Sequence, residues 1–194
     1  MDEPIGRRER KKAQTRKALA DAAMALFLAH GYDNVGVKHV ADAADVSVTT
    51  LFKYFPSKEA LVFDLDQDVE AALVAAVRDR GGRSIPQALR EHLVERAAEK
   101  PEDQQGMADF RRLIEQTPAL RDYVSRMWLR HETALAQAIA VEVGAADDDV
   151  RCAALARFAL EAVQLAHRYS DESQALAPIF DLLEYGWSAA ARTT

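Results

Sequence analysis

Long hydrophobic runs are scarce in this chain of 194 residues. The longest apolar run extends from Ala22 to Ala29, well short of the ~20 residues that a membrane-spanning helix needs. The basic segment from Arg7 to Lys12 has no apolar stretch directly behind it and no small-residue cleavage site, so a secretory signal is not expected. The sequence therefore predicts a cytoplasmic protein rather than a membrane or secreted one.

Cysteine, glycine and proline are sparse as well. A single cysteine, Cys152, excludes an internal disulfide and a cysteine-based metal cluster, and its helical context predicts a buried small side chain rather than a reactive thiol. The chain has 8 glycines, 6 prolines and no long alternation of apolar and polar residues, which disfavours β-strands. We expect an all-α fold, with an N-terminal three-helix unit followed by a larger helical bundle.

The motifs that many enzymes carry are missing. The sequence contains no GxGxxG, no phosphate loop and no GxSxG, and His131-Glu132 lacks the second His, four residues after the first, that a zinc protease needs. The acidic run Asp147 to Asp149 lies between predicted helices, where capping the next helix is favoured over binding a metal. We expect no enzyme activity, no cofactor and no metal site.

Charge is divided unevenly along the chain. Residues 1–58 hold 10 Lys/Arg and 7 Asp/Glu, a balance of +3, whereas residues 59–194 hold 15 and 24, a balance of −9. Within 7–17, seven basic residues face one Glu. Such asymmetry favours a basic module that meets an anion and an acidic body that does not, although a solvated tail is the alternative for 7–17.

Apolar spacing and helix breakers predict the helices. Gly31 should end the first helix, Ser47 and Ser57 should cap the third and fourth, and Pro86 and Pro178 should lie in first turns. The predicted helices are about 12–28, 37–44, Ser47 to before Pro56, Ser57 to before Gly81, 85–99, 104–116, 119–143, 147–170 and 175–191.

The segment from Val37 to Tyr54 has the spacing of a helix-turn-helix. Two short helices that cross closely need a small residue at their contact, which Ala41 supplies, and a shared core. The short or polar side chains on the outer face of the second helix can reach base edges, and nearby basic and aromatic groups can reach phosphates. A plain helical hairpin is the alternative. The DNA-binding candidates are Lys38, Ser47, Val48, Thr49, Thr50, Lys53, Tyr54 and Lys58.

Residues 16–62 closely resemble the TetR (AcrR-type) family of transcriptional regulators. The matching positions include Ala22-Ala23, Leu26-Phe27, Gly31-Tyr32, Val40-Ala41, Val46-Ser47, Thr50-Leu51, Tyr54-Phe55 and Ser57-Lys58-Glu59-Ala60-Leu61. Three positions depart from the family pattern. Asp45 replaces the usual turn Gly, and Phe52 replaces a common Tyr. The Thr that is usual near the start of helix two is absent from residues 34–36, where Asn34 is the candidate cap.

The resemblance implies a division into a DNA-binding domain, 1–56, and an effector-binding and dimerisation domain, 57–194. It implies a homodimer that binds a palindromic operator, most often as a repressor, and is released by a small, largely apolar ligand. Ligand candidates are Phe63, His92, Met107, Phe110, Met127, Trp128, His131, Phe158, Gln164 and His167. Dimer candidates on the last two helices are Ala153, Leu155, Ala156, Leu160, Val163, Ile179, Leu182, Leu183 and Trp187. The competing hypothesis is a TetR-like protein without a small ligand, acting through a protein partner or as an architectural DNA binder.

Overall fold

The computed structural model describes residues 6–98, 104–169 and 171–191. Over these ranges the regular secondary structure is entirely helical, which confirms the predicted all-α class. The helices are α1 (Arg7–His30), α2 (Val37–Ala43), α3 (Val48–Tyr54), α4 (Asp66–Arg78), α5 (Ile85–Ala98), α6 (Gln104–Gln116), α7 (Pro118–Val143), α8 (Val150–Ala166) and α9 (Glu172–Ala191), with a 3-10 turn at Glu59–Leu61. The predicted helix ends at 99 and 170 lie outside the described residues.

Helix α1 ends as predicted but begins earlier. Gly31 adopts φ 82° and its N–H donates to the Phe27 carbonyl, which closes the helix. Tyr32 then folds back so that its ring lies 5.0 Å from that of Phe27. The helix starts at Arg7 rather than near 12, because the basic residues of this segment are good helix formers and no breaker follows Gly6.

The turn between α2 and α3 is closed around Asp45. This residue has φ 53°, the left-handed conformation expected for a position where Gly is usual. The N–H of Val46 then donates to Ala41 O at 2.9 Å, and Ala41 and Leu51 are buried where the helices meet. The predicted helix-turn-helix geometry is therefore present.

Both short helices have identifiable N-caps. At α3, Ser47 Oγ accepts from the N–H of Thr50 at 3.0 Å, as predicted. At α2 the expected cap was wrong, because Gly36 is the N-cap and its N–H donates to His39 Nδ1 at 3.1 Å. Asn34 instead donates to His30 O and so satisfies the C-terminus of α1.

The expected long fourth helix from Ser57 is wrong. Ser57 Oγ accepts from Ala60 N, but only the 3-10 turn follows, and α4 begins at Asp66. Ala60, Leu61 and Val62 are all buried. Three consecutive buried side chains do not fit the one-sided burial of a surface helix, so the chain turns again before α4.

The starts of the last two helices also differ from expectation. Asp149 caps α8, accepting from Arg151 N at 2.8 Å, so the acidic run precedes the helix and its last residue caps it. Asp171 accepts from Gln174 N at 2.9 Å, and α9 begins at Glu172. Pro178 therefore lies inside α9 rather than in its first turn. Pro86 is the second residue of α5, as expected.

The chain folds into two compact units. Of the described residues, the first comprises 6–66 and 104–124, and the second comprises 67–98, 125–169 and 171–191. A core around Phe27, Leu51 and Phe55 fills the first unit, and it includes Leu113 and Leu120 from α6 and α7. The second unit has its own core from α4, α5, α7, α8 and α9, in which Cys152 is buried as predicted. This packing division differs from the functional division at residue 56, which stays a prediction.

Replacing Asp45 tests the left-handed turn. A residue with a Cβ is disfavoured at φ 53° by ~1 kcal/mol, so Asp45→Gly should be at least as stable as the parent chain and more stable than Asp45→Ala. Urea denaturation measures the differences in the free energy of unfolding, provided that its slope against urea concentration, the m value, is the same for each variant. At exposed Asp42, inside α2, the order should reverse because Gly weakens a helix. The same order at both positions would contradict the left-handed turn.

Candidate DNA-binding surface and effector region

Helix α3 has one buried and one exposed face. Leu51 and Phe55 are buried in the core of the first unit, whereas Thr49, Phe52 and Lys53 are exposed at i, i+3 and i+4 spacing. Phe52 is 48% exposed. Phe52 was not among the DNA-binding candidates, because the sequence argument treated its ring only as the loss of a Tyr hydroxyl. The exposed face of α3 is therefore a Thr, an aromatic ring and a cation.

The other candidates on α3 are partly engaged within the protein. Thr50 is half-buried, and its hydroxyl lies 2.8 Å from that of Ser47 at the N-cap. Val48 and Tyr54 are half-buried and pack against the first unit's core. Lys38 is exposed on α2. Thr49 and Lys53 thus present more of their side chains to solvent than Val48, Thr50 and Tyr54 do.

Lys58 lies in the junction between α1 and α2. Its Nζ donates to Tyr32 O at 2.5 Å and lies 3.8 Å from the centroid of the Tyr32 ring. Burial lowers the pKa of Lys58, and the charges of Asp33 and Glu59 oppose that shift. One of the three ammonium donors is used in this way, so Lys58 has a structural role, and its expected phosphate contact stays a prediction.

Tyr32 and Glu59 complete this junction. The Tyr32 hydroxyl donates to Glu59 Oε1 at 3.0 Å, and burial, together with this bond, raises the pKa of Tyr32. Burial alone would raise the pKa of Glu59, but hydrogen bonds from Ser57 and Tyr32 and the charge of Lys58 outweigh it and lower the pKa. The segment before α4 is thereby tied to the end of α1.

The basic residues between 7 and 17 do not form one uniform cluster. Those from Arg7 to Lys12 are exposed on the first turns of α1. Lys17 pairs with Asp21 at 2.7 Å across one helical turn. Arg16 is half-buried, and its guanidinium lies over the Phe55 ring. The first group therefore presents its charge along an open helix surface, whereas Arg16 and Lys17 contact other parts of the protein.

The ten ligand candidates fall into three groups. The first group lies in the first unit and comprises Phe63, Phe110 and half-buried Met107. The ring of Tyr123 stacks on that of Phe63 with their centroids 5.3 Å apart, and the ring of Phe110 lies edge-on to that of Phe63 at 6.0 Å. The second group lies in the second unit and comprises His92, Met127, Trp128 and His131. The third group, on or just after α8, is exposed and comprises Phe158, Gln164 and His167.

His131 is the most enclosed polar side chain of the second group. It is 1% exposed, with Trp128 edge-on at 5.7 Å. Its Nε2 lies 3.9 Å from Glu70 Oε2, which comes from α4. Sequence reasoning missed Glu70 because no local pattern pairs a carboxylate with a histidine 61 positions later. By contrast, His167 Nδ1 lies 2.9 Å from Glu172 Oε2, and this contact joins the end of α8 to the start of α9.

The dimer candidates divide by burial. Leu155, Ala156 and Leu160 are core residues of the second unit, and Val163, Ile179, Leu183 and Trp187 pack against that core. Of the nine, only Ala153 and Leu182 are exposed. The large apolar side chains that are exposed on these helices form a stripe that shares only Leu182 with the nine candidates. It comprises Val150, Phe158 and Leu165 on α8 and Leu182 and Tyr185 on α9.

Taken together, these features define a helix-turn-helix protein with a separate helical body, and comparison with known proteins agrees. The profile described as "Bacterial regulatory proteins, tetR family" matches residues 19–65, and that of the "MftR C-terminal domain" matches 83–192. The transcriptional regulator TcmR of Streptomyces glaucescens is 32% identical over 155 residues, covering 75% of this chain and 68% of TcmR. The putative mycofactocin biosynthesis regulator MftR of Mycobacterium tuberculosis is 29% identical over 188 residues, covering 91% and 93%.

Solved structures share the fold. The TetR-family repressor FadR of Thermus thermophilus, in complex with lauroyl-CoA, superposes with a TM-score of 0.51 at 24% identity, covering 87% of this chain and 92% of FadR. The chain belongs to the TetR family of transcriptional regulators. It is therefore a DNA-binding regulator and not an enzyme. Among the residues described, no helix combines the length and apolarity that crossing a membrane requires.

Lys53 and Lys58 should respond differently to neutralisation. We expect Lys53→Gln to flatten the dependence of log affinity on log salt by about one unit with little effect on folding, because Lys53 is exposed. Lys58→Gln should flatten it similarly and also lower the free energy of unfolding, since its bond to Tyr32 O is lost. Salt titrations and urea denaturation of both variants test this. An unchanged salt slope for Lys58→Gln would show that Lys58 has a structural role and does not contact phosphate.

Proposed function

We propose that this regulator is a homodimeric repressor in which two copies of α3 bind a palindromic operator. The observation that carries the proposal is the exposed face of α3, which presents Thr49, Phe52 and Lys53 to solvent while the opposite, apolar face of the helix is buried. A helix of seven residues reaches only a few base pairs, so useful specificity favours a second copy. A cytoplasmic location, with direct access to DNA, belongs to the same proposal.

Base recognition is assigned to a small set of side chains. The Thr49 hydroxyl can donate to or accept from a base edge, and the Phe52 ring suits an apolar contact with a thymine methyl. Phosphate contacts are assigned to Lys53, Lys38, Lys58 and the exposed basic residues between Arg7 and Lys12. Ser47 and Thr50 share a hydrogen bond at the N-cap, so their main contribution is to hold the start of α3.

Dimerisation is assigned to the exposed apolar stripe of α8 and α9. Leu182 is 74% and Tyr185 79% exposed, while Phe158 is 55% exposed. An exposed apolar stripe of this extent is typical of an interaction surface. The family's usual use of these two helices for self-association, and the presence of a second copy in any palindrome-reading complex, support a homodimer. Of the nine sequence candidates, only Leu182 belongs to this stripe, and Ala153 is exposed elsewhere on α8.

Effector binding is assigned to the second unit. The enclosed His131, with Trp128 against it and Glu70 3.9 Å away, offers apolar surface beside hydrogen-bonding groups. A largely apolar ligand with one or two polar groups matches that environment. The acyl chain of the lauroyl-CoA bound to FadR is apolar, which supports the apolar part of this ligand class, whereas its CoA moiety is large and highly charged. The ligand shifts DNA affinity only by its differential affinity for the two states.

Selection of bound duplexes from a random DNA pool at near-physiological salt tests operator binding. The expected product is a palindromic motif whose half-sites lie about one helical turn apart. Thr49→Ala should relax the preference at one or two positions of each half-site by ~1 kcal/mol or more. Exposed Asp42→Ala on α2 serves as the control. Binding without any motif, lost at moderate salt, would favour an architectural binder.

The interface assignment is tested by placing a charge on the stripe. Leu182→Glu should convert a dimer to a monomer by light scattering at micromolar concentration, because burying an unpaired carboxylate costs roughly 3 kcal/mol or more, about a hundredfold in dissociation constant. Leu129→Glu, on the exposed surface of α7, is the matched control and should leave the mass unchanged. A dimeric Leu182→Glu variant would contradict this interface.

A further inference from the structure

The side chain of Arg16 crosses from α1 to the C-terminal end of α3. Its Nη1 donates to Tyr54 O at 3.2 Å, and its Nη2 donates to Asp64 O. The guanidinium carbon lies 4.7 Å from the centroid of the Phe55 ring. One side chain thus contacts the last residue of α3, the residue after it, and the segment that precedes α4.

These contacts satisfy groups that α3 cannot satisfy alone. The last four carbonyls of a helix lack an intrahelical partner, and Tyr54 is the last residue of α3. A cation at a helix C-terminus is also favoured by the helix dipole. Because a helix of seven residues is marginal by itself, its orientation depends on such contacts at both ends. Ser47 provides the N-terminal contact and Arg16 the C-terminal one.

The arrangement is specific to a guanidinium. Its planar fork donates in two directions at once while its face packs on a ring. The ring beneath it, Phe55, is 1% exposed and packs in the same core as Leu51. A lysine at this position would retain the charge but would not reproduce both donations together with the stacking.

We propose that Arg16 is a positioning residue for operator recognition, which fixes the orientation of α3 and does not bind phosphate. This inference rests on the proposed role of α3 in reading the operator. Arg16 would be grouped with the exposed basic residues between Arg7 and Lys12 by its charge and its position in the sequence. The proposal gives it a different role. The consequence is that Arg16 contributes to the ratio between operator and non-specific affinity, whereas the exposed basic residues contribute to both affinities equally.

The test compares Arg16→Gln with Arg10→Gln, which removes the same charge from an exposed position of the same helix. Affinities for the selected operator and for a scrambled duplex are measured over a range of salt. We expect Arg16→Gln to lower operator affinity about tenfold or more, with scrambled-duplex affinity and salt slope unchanged. Arg10→Gln should weaken both duplexes equally and flatten the slope by about one unit. Arg16→Lys should recover part of the operator affinity.

Equal losses on both duplexes with a flatter slope for Arg16→Gln would make Arg16 a phosphate ligand and overturn the proposal. Unchanged operator affinity would overturn it as well. Amide hydrogen exchange of the free protein gives a second readout that needs no operator: N–H groups of residues 51–55 should exchange faster in Arg16→Gln than in Arg10→Gln. Equal exchange in the two variants would refute the positioning role, even if the parent chain selected no motif and the proposed function itself failed.

Discussion

The orientation of α3 is the constraint on which the proposed DNA-binding surface depends. Leu51 and Phe55 anchor its inner face in a core built from α1 and α2, Ser47 holds its first turn, and Arg16 holds its last carbonyl. A short helix makes too few hydrogen bonds of its own to hold one orientation. The direction in which Thr49, Phe52 and Lys53 point is therefore set by residues that face away from the proposed DNA-binding surface.

The same core draws on a distant part of the chain. Leu113 of α6 and Leu120 of α7 are buried with Phe27 and Leu51, and the ring of Tyr123 stacks on that of Phe63. Helix α7 continues beyond residue 124 into the second unit, where it carries Trp128 and His131. A single helix thus contributes to the core behind the DNA-binding helices and to the region assigned to the effector.

Charge follows the same division of roles. The exposed basic residues of the first turns of α1 lie on an open helix surface, suited to phosphate binding, while Arg16 and Lys58 direct their charges onto main-chain carbonyls and aromatic faces. A basic residue on this unit is therefore not by its charge alone a phosphate ligand. Its burial and its acceptors decide whether it is available to bind phosphate, holds the protein in shape or, as proposed for Lys58, does both.

Sequence alone determined the helical class, the helix-turn-helix, the left-handed turn at Asp45, the caps at Ser47 and Gly31, and the TetR family, because each depends on local conformational preference or on residues close in the chain. Only the tertiary structure decided which face of α8 and α9 is exposed, that Arg16 and Lys58 contact carbonyls, that Glu70 meets His131, and that the chain turns after Leu61 before α4 begins. These features depend on contacts between residues far apart in sequence, and periodicity identifies an apolar face without identifying its partner.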